Sequence, residues 1–127
     1  MKILIDTHIF LWFVNNNPQL SPAAKHLLES DVDILLSIAS LWEIAVKVSI
    51  GKLILPRPIR EFFPQQLRLN QIEILRVEIQ HLHILSTLPF HHRDPFDRLI
   101  IAQSLAEDIQ ILSVDTIFDE YGVNRMK

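Results

Sequence analysis

Among 127 residues the sequence has no cysteine and only two glycines. The first absence excludes disulfides and thiolate metal sites, and a reducing compartment is compatible with it. The scarcity of glycine leaves no phosphate-cradling glycine loop and no flexible linker. No internal repeat or low-complexity tract stands out, and no apolar run approaches bilayer length. Positive charge is not in excess either: 12 Lys and Arg face 15 Asp and Glu, for a formal net charge of -3. That excludes a nucleic-acid binder working by bulk charge, though not one with a local basic patch. No charged leader with an apolar stretch and cleavage site opens the chain, so a cytoplasmic location is the expectation.

What is present is ordinary globular material, 49% hydrophobic and 21% charged. The length suits a single domain over residues 1–127 with one substantial core. Lys2 to Ile5 reads as a first strand and Thr7 to Val14, apolar almost all round, as a buried helix. Asn15 to Pro18 breaks it. Ser21 and Pro22 form an N-cap and a first helical proline, opening a helix to about Ser30. Asp33 to Ser37 is a second buried strand. Ser40 to Ile50 follows as a helix with Leu41, Ile44, Ala45 and Val48 on one face and Gly51 as its stop. Pro56 and Pro58 precede a helix at Ile59 to Leu69. Ile72 to Val77 is a third strand, Glu78 to Ser86 a short helix, Pro95 to Glu107 the clearest helix, and Ile109 to Ser113 a fourth strand. A short last strand fits around Val123 to Arg125. Strands alternating with helices predict an α/β sandwich with a mostly parallel sheet.

Parallel sheets bind ligands beyond the carboxyl ends of their strands. Asp6 ends the first strand and Asp115 lies just past the fourth. Glu43 is expected in the first turn of the helix leaving strand two, and Asp97 opens the helix feeding strand four. Chain direction therefore sends all four acids to one edge, provided that strands one and four are neighbours, which periodicity alone does not give. Carboxylates gathered this way repel and tend to hold protons unless a cation joins them. An all-oxygen set suits Mg²⁺ or Mn²⁺, and such ions orient phosphodiesters and activate water. Metal-dependent phosphodiester hydrolysis is the chemistry that follows.

Each acid also has a plainer reading. Asp6 is placed to cap the Thr7 helix, and Asp115 to initiate a turn. Glu43 fits a capping box with Ser40 and a helical ion pair with Lys47. Asp94, in DPFD, reads first as a structural cap. Thr7 and Ser113 flank strand ends, as local caps or as supports for the acids. His81 and His83 point to different helix faces, which argues against a shared zinc. His91 and His92 read as loop residues, exposed or beside substrate. Trp12 and Trp42 are expected in the core. Lys47, Lys52, Arg57, Arg60, Arg68, Arg93 and Arg98 are individually weak candidates for phosphate contacts.

Four segments together, DTHIFLW, SIASLWEIAVKVSIGKLIL, FHHRDPFDRLIIAQSLAED and LSVDTIFDEYGV, resemble PIN-domain proteins of the VapC toxin type. The matches run in order from Asp6 nearly to the C-terminus, and HRDPFDRLIIAQ is the most specific. The resemblance implies an α/β/α sandwich with strand order 3-2-1-4-5, which would make strands one and four neighbours. It implies a Mg²⁺- or Mn²⁺-dependent endoribonuclease, the toxin of a type II toxin–antitoxin pair, leaving 5′-phosphate and 3′-hydroxyl ends; transfer RNA is a plausible substrate. Position by position, it assigns Asp6, Glu43, Asp97 and Asp115 as catalytic and metal-holding acids, with Thr7 and Ser113 as supporting hydroxyls. His8 and Asp94 belong to the same pattern without a role. A homodimer and a small cognate antitoxin are the implied partners. The helical pair from Ser40 to Leu69 would grip partner and substrate, with Ile54, Leu55, Phe62 and Phe63 exposed for an interface. Two rivals are a phosphatase with an aspartyl nucleophile and a catalytically silent PIN-like binding module. The first is disfavoured because Thr7 and His8, not a second acid, follow Asp6.

Overall fold

Short apolar strands alternating with helices build a five-stranded, all-parallel sheet in the computed structural model, which describes residues 1–127. The strands are β1 (Lys2–Ile5), β2 (Asp33–Ser37), β3 (Ile72–Leu75), β4 (Gln110–Leu112) and β5 (Arg125–Met126), in the order β3-β2-β1-β4-β5. The helices are α1 (Thr7–Val14), α2 (Pro22–Glu29), α3 (Ile38–Ser49), α4 (Ile59–Leu69), α5 (Ile79–Thr87) and α6 (Pro95–Glu107), with a 3₁₀ turn at Thr116–Tyr121. The strand order implied by the family resemblance is the one found, and β1 and β4 do adjoin.

Because side chains alternate along a strand, each central strand serves two cores. Ile3, Ile5, Ile34 and Leu36 face α1 to α4 and pack with Phe10, Ile44 and Phe62. Leu4, Leu35 and Ile111 face the other way and pack with Ala39, Ile100, Ile101 and Phe118. The result is three layers, helices on both faces of a sheet whose carboxyl ends share one edge. No helix is long and apolar enough to cross a membrane.

Several boundaries differ from the sequence expectation. Helix α3 begins at Ile38 because Ser37, not Ser40, caps it, accepting from the Ala39 N–H at 3.0 Å. Strand β3 stops at Leu75, where the buried Gln103 amide donates to the Leu75 and Arg76 carbonyls and takes the chain off the ladder. The last strand lies at Arg125–Met126, where the Ser113 N–H donates to the Met126 carbonyl. Gly51 ends α3 as expected, with the positive φ of 76° that favours glycine there.

Trp42 is 55% exposed rather than in the core. It lies about 100° round α3 from Leu41, off the face that Leu41 and Ile44 bury. Phe62, expected at the surface, is only 2% exposed. Phe62 and Phe63 are consecutive on α4, so only one can point straight at the sheet; Phe63 is half-buried beside it, as is Leu55, and Ile54 alone of the four is open to solvent.

Candidate active site

The register that pairs Ile5 with both Leu36 and Leu112 sets the next residue of each strand at the same edge. Asp6 is there, nearly buried, and its two oxygens are used differently. One accepts from the Ile9 N–H at 2.8 Å, capping α1, and the other accepts from the Ser113 hydroxyl. The plainer reading of Asp6 therefore holds alongside the site reading. Burial pushes its carboxyl above the ordinary 3.8, against the lowering effect of those two hydrogen bonds.

Glu43 is also buried, in the second turn of α3 rather than the expected first, because the helix begins at Ile38. The Thr7 hydroxyl lies 2.7 Å from Glu43 Oε1 and 2.9 Å from Ser40 Oγ. A hydroxyl has one proton, so Thr7 donates to the carboxylate and accepts from Ser40. Lys47 Nζ meets the other oxygen at 2.8 Å. The expected capping box with Ser40 does not form, because the helix starts two residues before Ser40; the expected pair with Lys47 does.

Asp97 lies in the first turn of α6, capped by Asp94, whose carboxylate accepts from the Phe96 and Asp97 N–H groups. Its single side-chain partner is His92, with Nε2 at 3.2 Å from Oδ2. Burial first, and then the Asp94 and Glu43 carboxylates, raise Asp97 to about 6, opposed by the His92 hydrogen bond. Asp115 is exposed at the rim. It caps the 3₁₀ turn through the Ile117 N–H, while its own N–H donates to Ser113 Oγ at 3.0 Å.

These segments meet at one cavity of about 130 Å³, lined by Asp6, Glu43, Asp94, Asp97 and Asp115, together with Thr7, His8 and Lys47. Larger hollows of about 400–430 Å³ lie elsewhere on the surface. The distinction of the small one is its charge: five carboxylates face one lysine. No three acidic or histidine side chains stand close enough to form a ready-made ligand set. Asp6, Glu43 and Asp97 are each held instead by a donor of the protein itself. The donor chemistry nonetheless fits a hard divalent cation, since all the acids are oxygen donors and two are pushed towards protonation by burial. A cation would reverse that pressure.

Sequence reasoning missed three things here. Asp94 lines the cavity as well as capping α6. Arg98, a candidate phosphate contact, is buried, and donates to the Leu88 and Pro89 carbonyls instead. His92 is tied to both Asp97 and Tyr121, 29 residues away, a link that no local periodicity signals. His81 is buried and His83 exposed, on different faces as expected.

Against known families, the model of the PIN domain matches residues 3–124. The chain belongs to the PIN domain family. Its fold is similar to that of VapBC2 from Rickettsia felis, solved bound to a promoter DNA fragment, with a TM-score of 0.75, 17% identity, and coverage of 99% of this chain and 98% of that one. FitAcB from Neisseria gonorrhoeae matches this PIN domain with a TM-score of 0.71 and 18% identity over 98% of this chain and 96% of the other. DNA-bound VapBC from Salmonella typhimurium gives 0.72 and 15%, covering 99% and 97%. No curated protein sequence matches the chain.

Proposed function

We propose that this PIN domain is a VapC-type toxin: a Mg²⁺- or Mn²⁺-dependent endoribonuclease, homodimeric, cytoplasmic, and silenced by a cognate antitoxin. The observation that carries the reading is the single acid cavity, to which Asp6, Glu43, Asp97 and Asp115 come from four distant segments. Membership of the PIN family supports nuclease chemistry. The structural neighbours support the toxin role, since one of similar fold, from Klebsiella pneumoniae, is solved as a toxin–antitoxin complex.

In this reading Asp6, Glu43 and Asp97 hold the cation, and Asp115 assists from the rim. When bound, the cation supplies positive charge against the scissile phosphate and makes a nearby water more acidic. The chain's own residues do the rest. Ser113 and the Ile9 N–H fix the rotamer of Asp6, and Thr7 fixes Glu43. The Lys47 ammonium, at the cavity wall, is placed to attract a phosphate. Water attacks phosphorus in line, the bond to the ribose O3′ breaks, and the ends are 5′-phosphate and 3′-hydroxyl. No covalent enzyme intermediate is needed.

The antitoxin and the second subunit have candidate surfaces on the helical pair. Ile54 is 91% exposed and, with Leu53, Leu55 and Ile59, lines a hollow of about 430 Å³. Trp42, edge-to-face on Phe96 with ring centroids 4.8 Å apart, exposes a second apolar area beside the acids. Light scattering of the purified chain tests the homodimer; a monomer at micromolar concentration removes that part of the reading.

The main test is cleavage mapping on total RNA with and without Mn²⁺, with Asp97→Asn as control. Metal-dependent 5′-phosphate ends produced by the wild type and not by the variant are expected. Equal cleavage by both proteins would overturn the site assignment.

A further inference from the structure

Asp97 has one side-chain donor, and the surroundings of that donor are built to a greater degree than a surface hydrogen bond requires. The Tyr121 oxygen receives the His91 N–H at 3.2 Å, the His92 N–H at 3.1 Å and Arg98 Nη1 at 3.3 Å. With three donors already directed at this oxygen, its single proton goes to an acceptor, and two are in reach: His92 Nδ1 and the His92 carbonyl, the latter at 3.5 Å. The nearest acceptor is His92 Nδ1, at 2.7 Å. A neutral imidazole that accepts at Nδ1 carries its proton on Nε2. Nε2 is the atom that faces Asp97 Oδ2, at 3.2 Å. The shorter contact assigns the direction of the chain: Arg98 to Tyr121, Tyr121 to His92, His92 to Asp97.

The loop that carries His92 is equally constrained. Arg98 is 5% exposed, donates to the Pro89 carbonyl at 2.8 Å and the Leu88 carbonyl at 3.0 Å, and stacks 3.9 Å from the centroid of the Phe90 ring. Arg98 follows Asp97 directly on α6, so one helix turn presents the carboxylate and anchors the loop that orients it. Asp97 Oδ1 has no donor from the protein, and Asp97 lines the acid cavity.

We infer that His92 is the positioning residue of Asp97, its Nε2–H tautomer set by Tyr121, holding one carboxylate oxygen so that the other is presented for cation binding. This rests on the proposed metal-dependent nuclease reading. Partners of this kind, which orient a ligand from behind, typically change metal affinity by about 10–100-fold when removed.

The test is Mn²⁺ binding, read by the EPR signal of free Mn²⁺ in titrations of wild type, His92→Ala, His92→Gln and Tyr121→Phe, with a thermal melt of each protein. His92→Ala is expected to weaken Mn²⁺ binding about tenfold, His92→Gln to recover most of it because its amide can donate to Asp97, and Tyr121→Phe to fall between. A merely structural histidine would lower the melting temperature and leave the dissociation constant of the folded protein unchanged, and that result would overturn the inference alone. If His92→Ala does not fold, equal Mn²⁺ affinity in wild type, His92→Gln and Tyr121→Phe overturns it as well. A wild type that binds no Mn²⁺ overturns the nuclease reading and the inference with it. A metal-free readout stands beside these: long-range ¹⁵N correlation spectra should show His92 protonated at Nε2 in the wild type. An Nδ1–H form would reverse the chain and refute the proposal.

Discussion

Helix α6 carries a histidine–carboxylate pair at each end, about 15 Å apart along its axis, and the two ends are served very differently. At the C-terminal end, His81 Nε2 lies 2.9 Å from Glu107, and Gln80 donates to the same oxygen at 2.7 Å. His81 Nδ1 accepts from the Glu78 N–H at 2.9 Å, which ties the pair into the start of α5. The hollow beside it mixes Glu73, Glu78 and Glu107 with Lys2 and Arg76. At the N-terminal end, Asp97 has one donor and four other carboxylates on the same cavity wall. An imidazole and a carboxylate thus make a satisfied structural joint at one end and an under-compensated acid at the other. Folding alone gives no reason to gather carboxylates, which repel one another; binding a cation would.

The comparison breaks most visibly in activity. If Asp97 is a ligand as proposed, Asp97→Asn should lower Mn²⁺-dependent RNA cleavage by more than about 100-fold, since losing a ligand costs at least as much as losing its outer partner. Glu107→Gln, the matching change at the other end of α6, should leave the rate near wild type. Single-turnover rates on one defined RNA check both; equal losses would mean that the ends of α6 do not divide structure from function.

Stability should respond the other way round. His81→Leu removes the acceptor for the Glu78 N–H and the donor to Glu107 inside a fully buried setting, at a cost of about 2 kcal/mol. Urea melts measure that loss, and Mn²⁺ affinity should not move. A His81 variant with wild-type stability would show that α5 is held by its apolar contacts alone.

Much of this was legible in the sequence, and the exceptions have physical reasons. Strand–helix alternation and the rule that ligands sit beyond strand carboxyl ends bring Asp6, Glu43, Asp97 and Asp115 to one edge. The adjacency of β1 and β4 needed the family resemblance, because apolar runs such as KILI and QIL carry no partner information. Ser37 and Ser40 are three residues apart and both able to cap; which one does depends on where β2 leaves the ladder. Trp42 could have been assigned to the outside, since Leu41 and Ile44 already mark the inner face of α3. His92 could not have been paired with Tyr121, because a contact 29 residues apart arises only when the loop before α6 folds over the 3₁₀ turn.

The smallest effect separates the two ends by pH. In the metal-free protein Asp97 titrates near 6, above the unfolded value of 3.8. Between about pH 4 and 6 the folded state therefore binds a proton more tightly than the unfolded chain, and this group's contribution to stability is lost as pH rises through that window. Above pH 6 the carboxylate is charged in a poor environment, and Asp97→Asn should be the more stable protein. Allowing for partial exposure, the gain is about 1 kcal/mol, or about 3–5 °C in Tm. Below about pH 4 both forms are neutral and the gain should vanish. Mn²⁺ should stabilise the wild type at pH 7 and bring it level with or above the variant, because the ion compensates the charge that the substitution deletes. Melting curves of both proteins at pH 4 and pH 7, with and without Mn²⁺, read all of this at once. A variant less stable than the wild type at pH 7 without metal would show that His92 alone compensates Asp97, leaving the two ends of α6 electrostatically alike.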